Sequence, residues 1–291
     1  MKRFIKRFLP GSIQSFSRRL YYRYPIIRRL YYFPINIWEM IRGKRDKLVP
    51  PRSMIFVGDG NFESIGNEFL DYFIRFCDLQ RDANVLEVGS GIGRMAIPLT
   101  KYLDSKGSYS GMDIVQEGIE WCQKKITPRY PNFTFILSDI FNEQYNSKGK
   151  FRAMDYHFPY KDESFDFVFL TSVFTHMLRD DIDHYLEEIS RVLKQGGKCL
   201  ITYFLLNDDA RTCLKTKENR FKYTYKDSMV IDPHMPEASI AHPEHEIRNI
   251  YKKWGLEIMD PIHYGDWCGR KSFVSSQDMV IAQKTSGSNN H

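Results

Sequence analysis

The chain has 291 residues, 42% hydrophobic and 27% charged, an ordinary globular composition that leaves room for one large domain or two small ones. Wholly disordered, collagen-like and disulfide-scaffold proteins are thereby excluded, and the longest apolar runs, about eight residues, fall short of the roughly 18 a bilayer-spanning helix needs. The net charge of +6 hides an asymmetry: residues 1–52 hold 14 Lys and Arg against Glu39 and Asp46 alone, so a +12 arm precedes a body of −6.

The arm also carries ten aromatic residues between Phe4 and Trp38. Over Lys2 to Leu9 a helical wheel separates Phe4, Ile5, Phe8 and Leu9 from Lys2, Arg3, Lys6 and Arg7, the pattern of an interfacial helix. Like charges concentrated in this way point to an anionic surface as receiver. Each Lys or Arg near an anionic bilayer contributes about 1 kcal/mol, so contact of residues 1–52 with a membrane surface is the functional expectation. A solvated extension that packs its aromatics on the body stays open, as does a cleavable transit peptide, because no acid precedes Glu39. Nucleic acid is disfavoured as a partner, since apolar side chains outnumber polar base readers. The interrupted N-terminal pattern is no secretory signal, and a cytoplasmic protein, peripheral at most on a membrane, is expected.

After the turn residues Gly58 to Asn61, the residues Ile65, Phe69, Leu70, Phe73, Ile74 and Cys77 recur at helical spacing, with Asn61 or Ser64 as cap. Short β-branched or aromatic runs then predict strands at Val85 to Gly89, Ser108 to Ile114, Phe133 to Asp139, Phe165 to Leu170 and Lys198 to Leu206. Before the last of these, Ile182, Tyr185, Leu186, Ile189, Val192 and Leu193 form a helical stripe. Asp180 or Asp181 can cap its start, and Gly196 and Gly197 follow its end. A helix at His245 to Trp254 and strands at Leu256 to Ile262 and Met279 to Gln283 close the body, and residues 285–291 form a frayed tail. The rhythm predicts a doubly wound α/β domain over residues 53–284. Cys77, Cys122, Cys199, Cys213 and Cys268 lack any Cys-x-x-Cys spacing and read as reduced thiols, with no metal site expected.

The first strand leads into Glu87, Val88, Gly89, Ser90, Gly91, Ile92 and Gly93. Glycines at a strand-to-helix turn admit a ligand close to the backbone. The spacing is G-x-G-x-G with an acid before it, not the G-x-G-x-x-G of nicotinamide binding, so a dehydrogenase is disfavoured. A carboxylate there repels pyrophosphate and favours a cationic ligand, such as the ammonium and sulfonium of S-adenosylmethionine. Asp113 ends the second strand, where a carboxylate accepts from ribose hydroxyls, and Asp139 ends the third, within reach of an adenine amine.

The segments VLEVGSGIG, GMDI, SDI, FPYKDESFDFVFLTSVFTHM and RVLKQGG resemble the class I S-adenosylmethionine-dependent methyltransferases, over roughly residues 64–284. FVGDGNFESIGNEFL, LTSVFTHM, YGDWCGRKSF and SQDMVIA are similar to a bacterial small-molecule group within it. The resemblance implies a Rossmann-like, doubly wound, seven-stranded and mostly parallel sheet whose last strand is antiparallel; the basic N-terminal helical arm lies outside the match. It also implies that Glu87, Gly89, Ser90, Gly91 and Gly93 line the methionine and ribose side and that Asp113, beside Ile114, takes the ribose. Asp139 with Ile140 is placed at the adenine and Thr171 near the sulfonium. Two connections exceed a minimal domain, Phe141 to Asp155 and Asn207 to Ala241, and long connections are often lids or substrate walls. A hydroxyl acceptor needs a base, for which His176 is nominated, with His157 behind it. The expected function is methyl transfer to a small-molecule or lipid-linked acceptor, most simply to oxygen. The alternative is a catalytically inactive S-adenosylmethionine-binding module recruited to an anionic surface by the arm.

Overall fold

The structure, a computed structural model, describes residues 25–42, 45–56, 60–143, 145–216 and 219–285. In chain order the first elements are α1 (Pro25–Ile41), α2 (Phe62–Cys77), β1 (Asn84–Val88), α3 (Ala96–Tyr102), β2 (Ser108–Asp113), α4 (Gln116–Lys125), β3 (Phe133–Leu137) and β4 (Phe165–Leu170). They are followed by α5 (Arg179–Val192), β5 (Leu193–Tyr203), β6 (Leu205–Leu206), α6 (Asp208–Thr216), β7 (Tyr223–Tyr225) and β8 (Ser228–Val230). The chain continues with β9 (Ile240–Pro243), α7 (Glu244–Lys253), β10 (Leu256–Ile258) and β11 (Asp278–Lys284).

Seven strands form one sheet in the order β10-β11-β5-β4-β1-β2-β3. The five from β3 to β5 are parallel, and β11 runs antiparallel to both β5 and β10. The two-residue period of a strand divides its side chains between two layers. Val85, Tyr109, Phe167 and Phe169 pack with α2, α3 and α4, whereas Leu86, Val88, Met112, Val168 and Leu170 pack with α5 and α7. Both faces are therefore covered, which is why β4 reads as an almost unbroken apolar run. The strand order reverses between β1 and β4, the place where open α/β sheets bind ligands beyond the strand carboxyl ends.

The second sheet, β6-β9-β8-β7, caps this edge. Its own small core joins Phe204, Leu206, Leu214, Phe221 and Cys268. Phe204, Phe221 and Trp267 meet pairwise at ring-centroid separations of 5.2 Å.

Several expectations need correction. The run expected as one strand from Lys198 to Leu206 begins earlier, at Leu193, and breaks at Phe204, so that Leu205 and Leu206 join the second sheet. Gly196 and Gly197 lie within β5 and do not cap a helix; α5 ends at Val192, with Leu193 already extended. Asp180 and Asp181 stand in the first turn of α5, where the Asp181 carboxylate accepts from the Leu178 N–H, while Leu178 itself occupies the cap position without a side-chain bond. Asn61 caps α2 by accepting from the Ser64 N–H at 2.9 Å, but Ile74 is exposed and Tyr72 takes its place on the buried face. The last expected strand but one ends at Ile258. In the arm, expected to be helical, α1 forms around Pro34, and the expected helix at Lys2 to Leu9 lies outside the described residues. Residues 286–291 of the expected tail do so as well. No helix among the described residues is long and apolar enough to cross a membrane.

Candidate active site

The turn after β1 is built by backbone conformation. Gly89, Gly91 and Gly93 have φ of 87°, 56° and 82°, a region that side chains with a Cβ rarely adopt. The Gly89 and Ser90 N–H groups donate to the Met112 carbonyl at 2.8 and 3.0 Å, tying the turn to β2. Asp113 accepts from Gly91 N at 2.6 Å and from Val115 N at 2.7 Å, so its carboxylate is clamped at the strand end with lone pairs to spare. Burial pushes its pKa up, and these backbone donors oppose the shift. Gly118 of α4 presses on the same turn: a Cβ there would lie 2.1 Å from the Gly91 carbonyl oxygen. That glycine went unnoticed in the sequence, because its reason is an approach between two elements.

Glu87 lies beneath the turn, 2% exposed, and accepts from the Tyr109 hydroxyl. Burial pushes its pKa up to about 8, against the Tyr109 bond and the charge of Arg94, while Asp113 adds to the rise. Ser90 is buried as well, and its side chain faces Gly111 of β2.

Asp139 turns toward the first long connection. Its carboxylate meets Lys150 Nζ at 3.3 Å, and its carbonyl accepts from Lys150 N and Phe151 N at 3.1 and 3.0 Å. The Ile140 side chain is buried in the core, whereas Ile114 is half-buried against it. Thr171 follows β4 and is half-buried. Next to it Ser172 has φ of 60°, held by donation from its N–H to Thr202 Oγ1 at 2.7 Å and from its hydroxyl to Gln277 Oε1 at 3.1 Å. The bend brings Val173 onto the glycine turn, where a Cβ on Gly89 would come within 2.4 Å of Val173 Cγ2.

His176 ends the short 3-10 turn Phe174–His176, and its Nδ1 lies 2.9 Å from the Glu237 carbonyl oxygen of the second long connection. Asn142, Glu143 and Tyr145 of the first connection and Met235, Glu237 and Ala238 of the second line a small pocket with His176. Both long connections therefore converge on this histidine. A carbonyl only accepts, so Nδ1 carries the hydrogen and Nε2 keeps its lone pair. Burial lowers the His176 pKa and keeps the ring neutral. His157, in contrast, is 70% exposed and pairs with Glu188 at 3.1 Å, away from this pocket.

Two groups that hold the cap carried no local signal. His242 of β9 is buried, its Nε2 3.1 Å from the Met177 carbonyl, next in sequence to His176; burial lowers its pKa to about 4. Asp278 at the start of β11 is fully buried and accepts from Leu205 N, Gly265 N and Trp267 Nε1, each at 2.7 Å, and from Arg270 at 3.0 Å. Arg270 also donates to Asp209 at 2.7 Å and Asn207 at 3.0 Å, fastening the start of the cap to the main sheet.

The buried hydroxyls of Ser90, Ser138 and Thr175, which follow β1, β3 and β4, have no hydrogen-bond partner among the described residues. Residues 86–201, from β1 into β5, match the family described as a methyltransferase domain. Together with the seven-stranded topology, this match gives these residues the Rossmann-like fold of a methyltransferase domain.

Among similar proteins is the phthiotriol/phenolphthiotriol dimycocerosates methyltransferase of Mycobacterium tuberculosis, 34% identical over 116 residues. That stretch is 39% of this chain and 34% of the relative, so the match spans about a third of the relative's own length. The ubiquinone/menaquinone biosynthesis C-methyltransferase of Wigglesworthia glossinidia brevipalpis is 30% identical over 42% of this chain and 43% of that protein. Of solved structures, the PH0226 protein of Pyrococcus horikoshii OT3 superposes with a TM-score of 0.54 at 14% identity, over 80% of this chain and 95% of that one, a likeness of fold.

Proposed function

We propose that the protein transfers a methyl group from S-adenosylmethionine to a small-molecule or lipid-linked acceptor, with a hydroxyl oxygen as the acceptor atom. The observation that carries this reading is the position of His176, neutral, with its Nδ1 bound to the Glu237 carbonyl, where both long connections meet beyond the strand ends. When bound, S-adenosylmethionine supplies a methyl group activated by its sulfonium, so that C–O bond formation accompanies S–C cleavage.

The residues of this chain divide the remaining work. Asp113 offers its remaining lone pairs to ribose hydroxyls, with Ile114 beside it, and Asp139 and Ile140 stand at the adenine end. The backbone of Gly89, Ser90, Gly91 and Gly93 forms the floor of the cofactor site. Glu87, once ionised, stabilises the cationic end, and Thr171 borders the transferring group. His176 Nε2 takes the acceptor hydroxyl proton, while the cap aligns the acceptor and excludes water; alignment of this kind lowers a barrier by about 7–11 kcal/mol.

The relatives named for phthiotriol dimycocerosates and for ubiquinone and menaquinone lend support to an acceptor of this class. The +12 balance of residues 1–52 supports an anionic membrane surface as the place of reaction. No observation favours an inactive binding module. Calorimetric titration with S-adenosylmethionine and S-adenosylhomocysteine, with NAD as control, followed by methyl-label transfer to hydroxylated lipids and small phenols, tests the reading. Saturable binding of the first two alone and label on oxygen are expected; label on carbon or nitrogen would overturn the choice of atom, and binding without transfer to any acceptor would overturn the activity.

A further inference from the structure

Helix α1 is built inside out. On its wheel Tyr32, Asn36 and Glu39 share the side turned to the body. Tyr32 is buried, Asn36 donates to Ser53 Oγ at 2.9 Å and accepts from Arg52 N at 3.1 Å, and Glu39 pairs with Arg52 at 2.5 Å. The opposite side carries Leu30, Tyr31, Phe33, Ile37 and Trp38, of which Leu30 is 71% and Phe33 62% exposed. A helix on a water-facing protein surface shows the reverse arrangement, with its apolar stripe inward. Here polar side chains hold the helix to the body and the apolar ones face away.

Charge and composition identify what receives this face. Residues 1–24, which run directly into α1, hold seven Lys and Arg and no acid. A second copy docking here would bring its own +12 arm against the first, whereas an anionic surface neutralises both. The face itself has the makeup of a membrane interface: aliphatic residues flanked by Trp38 and Tyr31, with Arg42 stacked 4.0 Å over the Trp38 ring. The helix is not long and apolar enough to cross a bilayer.

The geometry points to α1 as an interfacial helix that lays Leu30, Phe33, Ile37 and Trp38 among the acyl chains of an anionic bilayer while the basic residues meet the headgroup phosphates. This deepens, and rests on, the reading of residues 1–52 as membrane-contacting. It also has a consequence for catalysis. Arg29 pairs with Glu117 at 2.9 Å, and Glu117 precedes the Gly118 that presses on the Gly91 carbonyl. A docked α1 therefore holds the cofactor turn at the bilayer surface, where a lipid-linked acceptor resides.

Co-sedimentation of the full chain with vesicles of phosphatidylcholine, alone or mixed with phosphatidylglycerol, at low and high salt, tests the inference. The wild type is expected to sediment with the anionic vesicles and to be released in part by salt. Phe33→Glu combined with Trp38→Glu is expected to lower the partition coefficient at least about tenfold, while Phe33→Leu combined with Trp38→Phe retains it. Unchanged S-adenosylmethionine affinity by calorimetry shows that each variant is folded. If the wild type binds the anionic vesicles and the Glu double variant binds them equally well, docking through α1 is overturned while the arm's membrane reading stands. If the wild type binds no vesicle, both fall. If light scattering without lipid finds a wild-type dimer that the Glu variant converts to monomer, the face belongs to a second copy, and the inference is overturned.

Discussion

The edge formed by the glycine turn and the cap over it are held by opposite means. At the edge, three glycines with positive φ, two strand ends and a carboxylate bonded to Gly91 N form a unit that spans little sequence and depends mainly on backbone. In the cap, the same task falls to side chains far apart in the chain: Asp278 with Arg270, Asn207 and Trp267, His242 with Met177, and His176 with Glu237. The glycine turn and its strand ends lie within the residues that match the methyltransferase-domain family, whereas β6 to β9 of the cap lie beyond them. A common cofactor can be met by backbone, whereas an individual acceptor must be met by side chains that only the tertiary fold gathers.

The contrast can be broken at the cap or sharpened at the edge. His176→Ala is expected to lower kcat about 10²–10⁴-fold with unchanged S-adenosylmethionine affinity, as measured by steady-state kinetics and calorimetry. An acceptor with a carbon nucleophile would leave kcat nearly intact. Asp278→Ala removes the partner of the buried Arg270 and orphans several donors, so urea unfolding should register a loss of about 3–5 kcal/mol, with the cap opening first in hydrogen exchange. Loss of protection spread evenly over the main sheet would show that the cap is no separate unit.

On the edge, Gly118→Val forces the turn off Gly91 and should weaken S-adenosylmethionine binding about 10–100-fold, with little change in acceptor KM. The raised pKa of Glu87 gives a further handle. The ordinary value is 4.5 and the folded value about 8, so the carboxyl's contribution to stability is full below the former and is lost as pH rises through the latter. A cationic ligand needs the ionised form, and calorimetric affinity should therefore rise between pH 6 and 8 by up to about tenfold per unit, with proton release on binding. Glu87→Gln should flatten that slope. The smallest effect is expected from Asn61→Ala, which removes the α2 cap for about 1 kcal/mol and should lower Tm without altering either site.

Much of the edge was legible in the sequence because its determinants are local. Acids and glycines at strand ends mark the turn, and β4 was read with its observed bounds, since a strand buried on both faces must be apolar throughout. The end of α5 and the start of β5 were misplaced because Gly196 and Gly197 signal a helix stop as readily as a strand irregularity. Gly118, Thr202, His242 and Asp278 were not marked at all. Each acts on a residue remote in the chain, and nothing in its own neighbourhood distinguishes it from a helix glycine, a strand threonine or an ordinary polar residue.

The arm shows the same division. Its charge and aromatic content are properties of composition, and the sequence alone determined that residues 1–52 differ in kind from the body. Which side of α1 meets the body was decided by Ser53, Arg52 and Glu117, partners that come within reach only when the chain folds back. The sequence by itself determined the layered α/β architecture and the turn with its acids, because periodicity and backbone preference are short-range. Only the tertiary structure decided the cap, the tautomer of His176 and the outward face of α1, because these follow from hydrogen bonds and packing between segments that the sequence keeps far apart.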